Sequence, residues 1–192
     1  MKKLLLTIMS AIMFVLPVSA FEAEIGGLWY DLDEAKHVAT IINPASMRQQ
    51  GMSAYKDAMS LTLPEAVKYK GKKYKVVAIG DSAFAGCKRL VTVVLPERLT
   101  TIGANAFMHC TSLRVVDIPA SVKHIGDEAF AECKSLTAIL FITKTPPTLG
   151  TGVFRDAATH GNYQYINVPC GALDNYNEHW STYKDAIRER CL

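Results

Sequence analysis

Cys87, Cys110 and Cys133 recur at an interval of 23 residues and are the first side chains in this sequence to invite a chemical reading. Thiolates bind zinc, but zinc sites pair their ligands about two to four residues apart. Cysteines in register on neighbouring strands keep their β-carbons roughly 4.8 Å apart, beyond the ~3.5–4.5 Å of a disulfide. The expectation is three buried, unreactive thiols, with no metal and no cofactor. Cys170 and Cys191 stand outside this series. A continuous helix between them, rising about 1.5 Å per residue, would hold them far apart, and a break in it would let them bridge. Because the chain has 5 cysteines, they cannot all pair with one another.

The histidines are scattered. His37, His160 and His179 have no partner in a recognisable motif, His109 falls where other repeats carry Gly86 and Glu132, and His124 falls where they carry Ala78 and Thr101. No nucleophile elbow, phosphate loop or paired metal motif occurs, so the expectation is no catalytic residue and no enzyme.

The cysteines belong to a longer repeat that must position everything else. Ile79-Gly80-Asp81-Ser82-Ala83-Phe84-Ala85-Gly86-Cys87 returns as Ile102-Gly103-Ala104-Asn105-Ala106-Phe107-Met108-His109-Cys110 and again as Ile125-Gly126-Asp127-Glu128-Ala129-Phe130-Ala131-Glu132-Cys133. Each is followed by an apolar, alternating stretch: Leu90, Val93, Leu95, Pro96, then Leu113, Val116, Ile118, Pro119, then Leu136, Ile139, Phe141. The apolar and turn positions recur while the rest vary, as expected where each unit buries one side against its neighbours. Weaker units flank these, at Leu61 to Val67 and from Leu149-Gly150 to Val168-Pro169, which makes about five in all.

Within a unit, Leu-x-x-Val-x-Leu-Pro reads as a short strand ended by proline, stacked units forming a parallel sheet. Ala-Phe-x-x-Cys reads as one helical or 3₁₀ turn, with Phe84, Phe107 and Phe130 stacked as a spine. The glycine of Ile-Gly is expected to adopt a conformation that a β-carbon opposes. Tyr69 to Tyr74 reads as a hairpin inserted between units, with Gly71 at its tip. Its neighbours Lys68, Lys70, Lys72, Lys73 and Lys75 form a dense basic cluster, read as a solvated strand face or as a surface for an anionic glycan or lipid headgroup.

The ends differ from the middle. Leu28 to Leu32 and Val38 to Ile42 read as a hairpin lying over the first layer, and Asn43 to Ser60 as a loop or short helix. Leu173, Tyr176, Trp180, Tyr183 and Ile187 step by three or four residues, as one face of an amphipathic helix does. Met1-Lys2-Lys3, an apolar run to Pro17 and Val18-Ser19-Ala20 have the parts of a secretory leader cut near Ala20, and no transmembrane anchor is expected. Removing Lys2 and Lys3 from 21 basic residues leaves 19 against 18 acidic ones, a net charge of +1. That balance gives no reason to expect nucleic acid as a partner. The expected organisation is a signal peptide at 1–20, an N-terminal cap at 21–60, a repeat array at 61–169 and a C-terminal helical cap at 170–192.

The pattern Ile-Gly-x-x-Ala-Phe-x-x-Cys-x-x-Leu-x-x-Val-x-Leu-Pro resembles the BspA-type leucine-rich repeats of bacterial surface and secreted proteins, most clearly from Val76 to Phe141. The resemblance implies an α/β solenoid, a right-handed superhelix of leucine-rich repeats, and a role in adhesion or in recognising proteins or glycans. It also implies a secreted, periplasmic or surface location. In such repeats the strand face is the binding surface, here Thr92 and Val94, Val115 and Asp117, Ala138 and Leu140, bordered by Arg114 and Ile142. A partly apolar face with one carboxylate and one guanidinium suits a protein or peptide. The alternative is a structural or self-assembling envelope protein with no external ligand.

Overall fold

A computed structural model describes residues 21–49, 53–157 and 165–191. The expected leader and His160 lie outside the described residues. At the front, β1 (Phe21–Ile25), β2 (Leu28–Asp33) and β3 (Val38–Ile42) are antiparallel, and a short helix, α1 (Ala45–Gln49), follows. Next come β4 (Ser60–Thr62), β5 (Ala66–Tyr69) and β6 (Lys72–Ile79). The repeats supply β7 (Thr92–Val94), β8 (Thr101–Ile102), β9 (Val115–Ile118), β10 (His124–Ile125), β11 (Ala138–Phe141) and β12 (Thr148–Leu149). The chain ends with β13 (Tyr165–Pro169), α2 (Leu173–His179), a 3₁₀ stretch (Ser181–Ala186) and β14 (Ile187–Arg190).

Each repeat contributes to two sheets. The Leu-x-x-Val-x-Leu strands form a six-stranded parallel sheet in the order β14-β13-β11-β9-β7-β4. The two residues ending at the repeat isoleucine form a second sheet, in which β6, β8, β10 and β12 run parallel. The sequence reading provided for a single parallel sheet, because a strand of two residues is too short to show alternation. A third side of the coil is the run containing Ala-Phe-x-x-Cys.

That third side is neither helical nor 3₁₀. Ser82, Asn105 and Glu128 have φ of 55°, 55° and 52°, and Gly86, His109 and Glu132 have φ of 73°, 60° and 56°. Two left-handed residues per unit prevent helix propagation. They also alternate the direction of the amides. Ala83 and Ala85 N–H bond back within the unit, to Gly80 and Ser82 oxygens, both at 3.2 Å. Phe84 and Gly86 N–H instead donate to Ala106 and Met108 oxygens of the next unit, both at 2.8 Å. Phe107 and Phe130 repeat the pattern toward Ala129 and Val153 oxygens. The turns are thereby stitched into a ladder like the strands, leaving few backbone groups unsatisfied.

The glycine of Ile-Gly has a different reason from the one expected. Gly103 and Gly126 are not in the left-handed region. They are required because a β-carbon on Gly126 would lie 2.6 Å from Ala104 N of the preceding unit. The backbones touch there, so the constraint is close approach rather than dihedral freedom.

The layers are dry. Phe84, Phe107 and Phe130 are fully buried, and their rings stack with centroids 5.2 Å apart at both steps. The spine continues to Phe154 at 6.0 Å, where Tyr183 closes it edge-on at 5.2 Å. At the front, Tyr55 meets Phe84 at 5.0 Å. The described part of the Asn43 to Ser60 stretch, expected as a loop or short helix, therefore holds a short helix and a plug for the first layer. Tyr55 is fixed because its hydroxyl donates to Ile42 O and accepts from Trp29 N, each at 2.8 Å.

At the front, β3 pairs in parallel with β6, so the hairpin prolongs the second sheet ahead of the first repeat. Tyr30, Leu32, Ala39 and Ile41 send alternate side chains into the common core. The inserted hairpin β5–β6 turns at Lys70 and Gly71, with φ of 46° and 79°. Positive φ at both central residues matches the twist of a two-residue hairpin.

Candidate binding face

Alternation along the six-stranded sheet sorts its residues into a buried row and a wet one. Val93, Val116 and Ile139 point inward and are buried. Thr92, Val94, Val115 and Asp117 are exposed, and Ala138 and Leu140 are half-buried. Register then assembles them: Thr92 faces Val115, Val115 faces Ala138, and Asp117 faces Leu140. Arg114 precedes β9 and Ile142 follows β11, both exposed. The six strand residues named from the sequence thus share one side of one sheet, with Arg114 and Ile142 at the ends of its strands.

The apolar content of this side is unusual. Among the described residues, the large apolar side chains that remain exposed are Met59, Val94, Val115 and Ile142, at 57%, 57%, 42% and 56%. Val94, Val115 and Ile142 line one shallow depression with Thr92, Glu97 and Asp117. Met59 borders the same sheet, since its carbonyl accepts the Val91 N–H at 2.8 Å. Water-facing apolar groups gathered in one place mark an interaction surface more often than scattered ones do.

The sheet also extends further than the sequence reading went. Leu140 pairs with Asn167 on β13, and Asn167 with Arg188 on β14. A second depression of about 320 Å³ lies between Leu140, Ile142, Val168, Pro169 and Arg190. The strand β14 was missed because Ile187 stands at helical spacing from Tyr183. The helix instead ends at His179, and the chain passes through the 3₁₀ stretch before Ile187 enters the sheet. Apolar spacing could not expose this break. Once Ile187 pairs with Ile166, the strand ends carry Cys170 and Cys191 together, and a disulfide joins them with Cα atoms 4.8 Å apart.

The other candidates for chemistry are buried or held apart. Cys87, Cys110 and Cys133 are buried free thiols. Cys110 Sγ donates to Phe84 O at 3.2 Å and Cys133 Sγ to Phe107 O at 3.1 Å, so each caps a carbonyl of the unit before it. Burial pushes Cys133 up to about 12, which keeps it a thiol at ordinary pH. His109 Nδ1 lies 3.2 Å from Glu132 on the exposed turn, His124 Nδ1 lies 2.9 Å from the Thr148 hydroxyl, and His37 stacks near Tyr74. Among the described residues these histidines do not converge on one another or on a thiol.

A stack of short units with two parallel ladders, an aromatic spine and one exposed strand face defines a leucine-rich-repeat solenoid. A family model for BspA-type leucine-rich repeat regions matches residues 68–175 in 6 copies, and the chain belongs to that family. The sequence reading counted about five units, as the copies at the ends keep fewer of the motif positions. A leucine-rich repeat protein of Bacteroides capillosus ATCC 29799 superposes with a TM-score of 0.58 at 22% identity, covering 76% of this chain and 97% of that one. One from Bacteroides ovatus ATCC 8483 gives 0.59 at 24% identity, covering 78% and 35%. A leucine rich cell surface protein of Faecalibacterium prausnitzii A2-165 gives 0.54 at 22%, covering 80% and 46%. These identities support a shared fold, and this chain spans less than half of the last two proteins. No curated protein matches the sequence. Among the described residues no helix is long and apolar enough to cross a membrane.

Proposed function

We propose that this chain is an exported, non-catalytic binding module that recognises a protein or glycan through the outer face of the six-stranded sheet. The observation that carries the reading is the gathering of Val94, Val115 and Ile142 on that face, around Asp117 and next to Arg114. An apolar centre flanked by single charges is the composition of a protein-recognition surface. The leader pattern at residues 1–20 and the surface description of the Faecalibacterium neighbour support export.

Self-assembly through the sheet edge is the rival reading. The outer edge strand β14 carries Arg188, Glu189 and Arg190, all exposed, and charged edge strands resist strand addition. Capture from matrix and envelope extracts with the mature chain tests the proposal. A partner should be retained by wild type and lost with Asp117→Arg or Leu140→Glu, each still folded. Light scattering that instead shows concentration-dependent oligomers, with no partner retained, would favour assembly.

A further inference from the structure

The second sheet, which with β1, β2, β3 and β5 has eight strands, carries a different feature at its front. Lys36 and His37 sit in the turn between β2 and β3, Lys73 and Lys75 on β6, and Arg98 in the turn after Pro96. These segments, with Glu65 and Ala66, line one cleft of about 250 Å³. Register explains the convergence. Val38 pairs with Lys75 across β3 and β6, while Lys68 and Ala66 pair with Lys73 and Lys75 across the hairpin. Alternation then buries Tyr74 and Val76 and sends Lys73 and Lys75 to water.

Most cations of this cleft have no ion-pair partner among the described residues, although the carboxylate Glu65 shares its lining. Lys36 is bound to Asp33 at 3.2 Å and Lys72, nearer the hairpin tip, to Glu34 at 3.7 Å. Lys73, Lys75 and Arg98 form no ion pair among the described residues. Glu65, the acid that lines the cleft, has one carboxylate oxygen engaged by the Glu97 N–H at 2.6 Å. Lys68 stands directly opposite Lys73. Like charges so placed weaken a hairpin, and folding alone would be better served by an acid at either position.

The geometry points to an oxyanion site in which Lys73, Lys75 and Arg98 bind a sulfate or phosphate ester carried on a polyanionic carbohydrate chain. A guanidinium presents two parallel N–H groups to such an oxyanion, and the lysines add mobile point charges. A bilayer is the poorer fit. The cleft is concave, and the exposed large apolar side chains that would insert into lipid lie on or beside the other sheet. The site is separate from the face assigned above, so either can fail without the other.

Binding of the mature chain to immobilised heparin tests it, alongside inorganic sulfate and vesicles of equal parts phosphatidylglycerol and phosphatidylcholine. Wild type should bind heparin in a salt-sensitive manner, inorganic sulfate should compete weakly, and vesicles should bind less well. Lys73→Glu should lose affinity by about tenfold or more while its melting temperature stays level or rises, since it now faces Lys68 with opposite charge. Lys134→Glu, on the turn side, should bind heparin like wild type. Unchanged heparin affinity in Lys73→Glu, an equal loss in Lys134→Glu, or tighter binding to vesicles than to heparin would each overturn the proposal.

Discussion

The middle of the solenoid and its C-terminal end bury apolar surface by different means. In the middle, each unit repeats the same contacts: a phenylalanine stacked on the next, a thiol on the preceding carbonyl, and turn amides reaching across to the neighbouring unit. At the end every contact is made once. Trp180 packs edge-on to Phe141 at 4.9 Å and donates its indole N–H to Pro147 O at 3.1 Å, while Tyr176 donates to Thr143 O at 2.8 Å. A disulfide then holds the last strand to its neighbour. A repeated contact needs only a neighbour that carries the same motif. An end has no such neighbour, so its cohesion must be written residue by residue.

If that division is right, the most damaging single truncation should lie in the middle. Phe107→Ala removes a ring stacked on both sides within a fully buried layer and should cost about 3–5 kcal/mol in denaturant unfolding. Phe154 is slightly exposed and meets its last neighbour edge-on, so the same change there should cost less. Equal losses at both positions would break the distinction between middle and end.

The end should depend instead on its crosslink. Cys170 and Cys191 are 21 residues apart, and opening a loop of that size should destabilise by about 3 kcal/mol on the chain-entropy account. The Cys170→Ala/Cys191→Ala pair should therefore lower the melting temperature and expose the C-terminal segment to protease before the repeats. Simultaneous cleavage throughout the chain would show that the end is no separate unit of cohesion.

This contrast also explains what could be read from the sequence. The repeat register, the phenylalanine spine and the exposed strand positions were legible because a 23-residue period states each position three times over. Other features were not. The second sheet uses two residues per unit, too few for a pattern to show. The left-handed positions are filled by Ser82, Asn105, Glu128, His109 and Glu132, types that betray no common dihedral. Ile187 kept helical spacing while entering a strand, because tertiary pairing with Ile166 outweighed local periodicity. The basic cleft assembles from segments between Lys36 and Arg98, so its lysines were visible but their meeting with Arg98 was not.

The two glycine types separate close approach from dihedral strain within the middle itself. Gly126→Ala places a β-carbon 2.6 Å from the Ala104 amide nitrogen, and the backbones must part, at about 1–3 kcal/mol. Gly86 has φ of 73° with open space around it, so Gly86→Ala should cost about 1 kcal/mol from conformation alone. Thermal unfolding of both variants compares them directly, and a larger loss at Gly86 would contradict the tight backbone contact.

The smallest effect concerns where the middle stops. Ala157 occupies, in the last unit, the position that Cys133 holds in the unit before it. Its neighbour Phe154 still continues the ring stack. Ala157→Cys would bring a thiol to the level of Phe130 O, as Cys133 reaches Phe107 O, and one further hydrogen bond should add about 0.5–1 kcal/mol. Ala157 is only half-buried, which places the gain at the lower end. Alkylation of the native variant supplies the structural readout. A new thiol as slow to react as Cys133 would extend the repeating interior by one layer. One that reacts at once, with no gain in stability, would fix the boundary at Cys133 and assign everything beyond it to contacts made once.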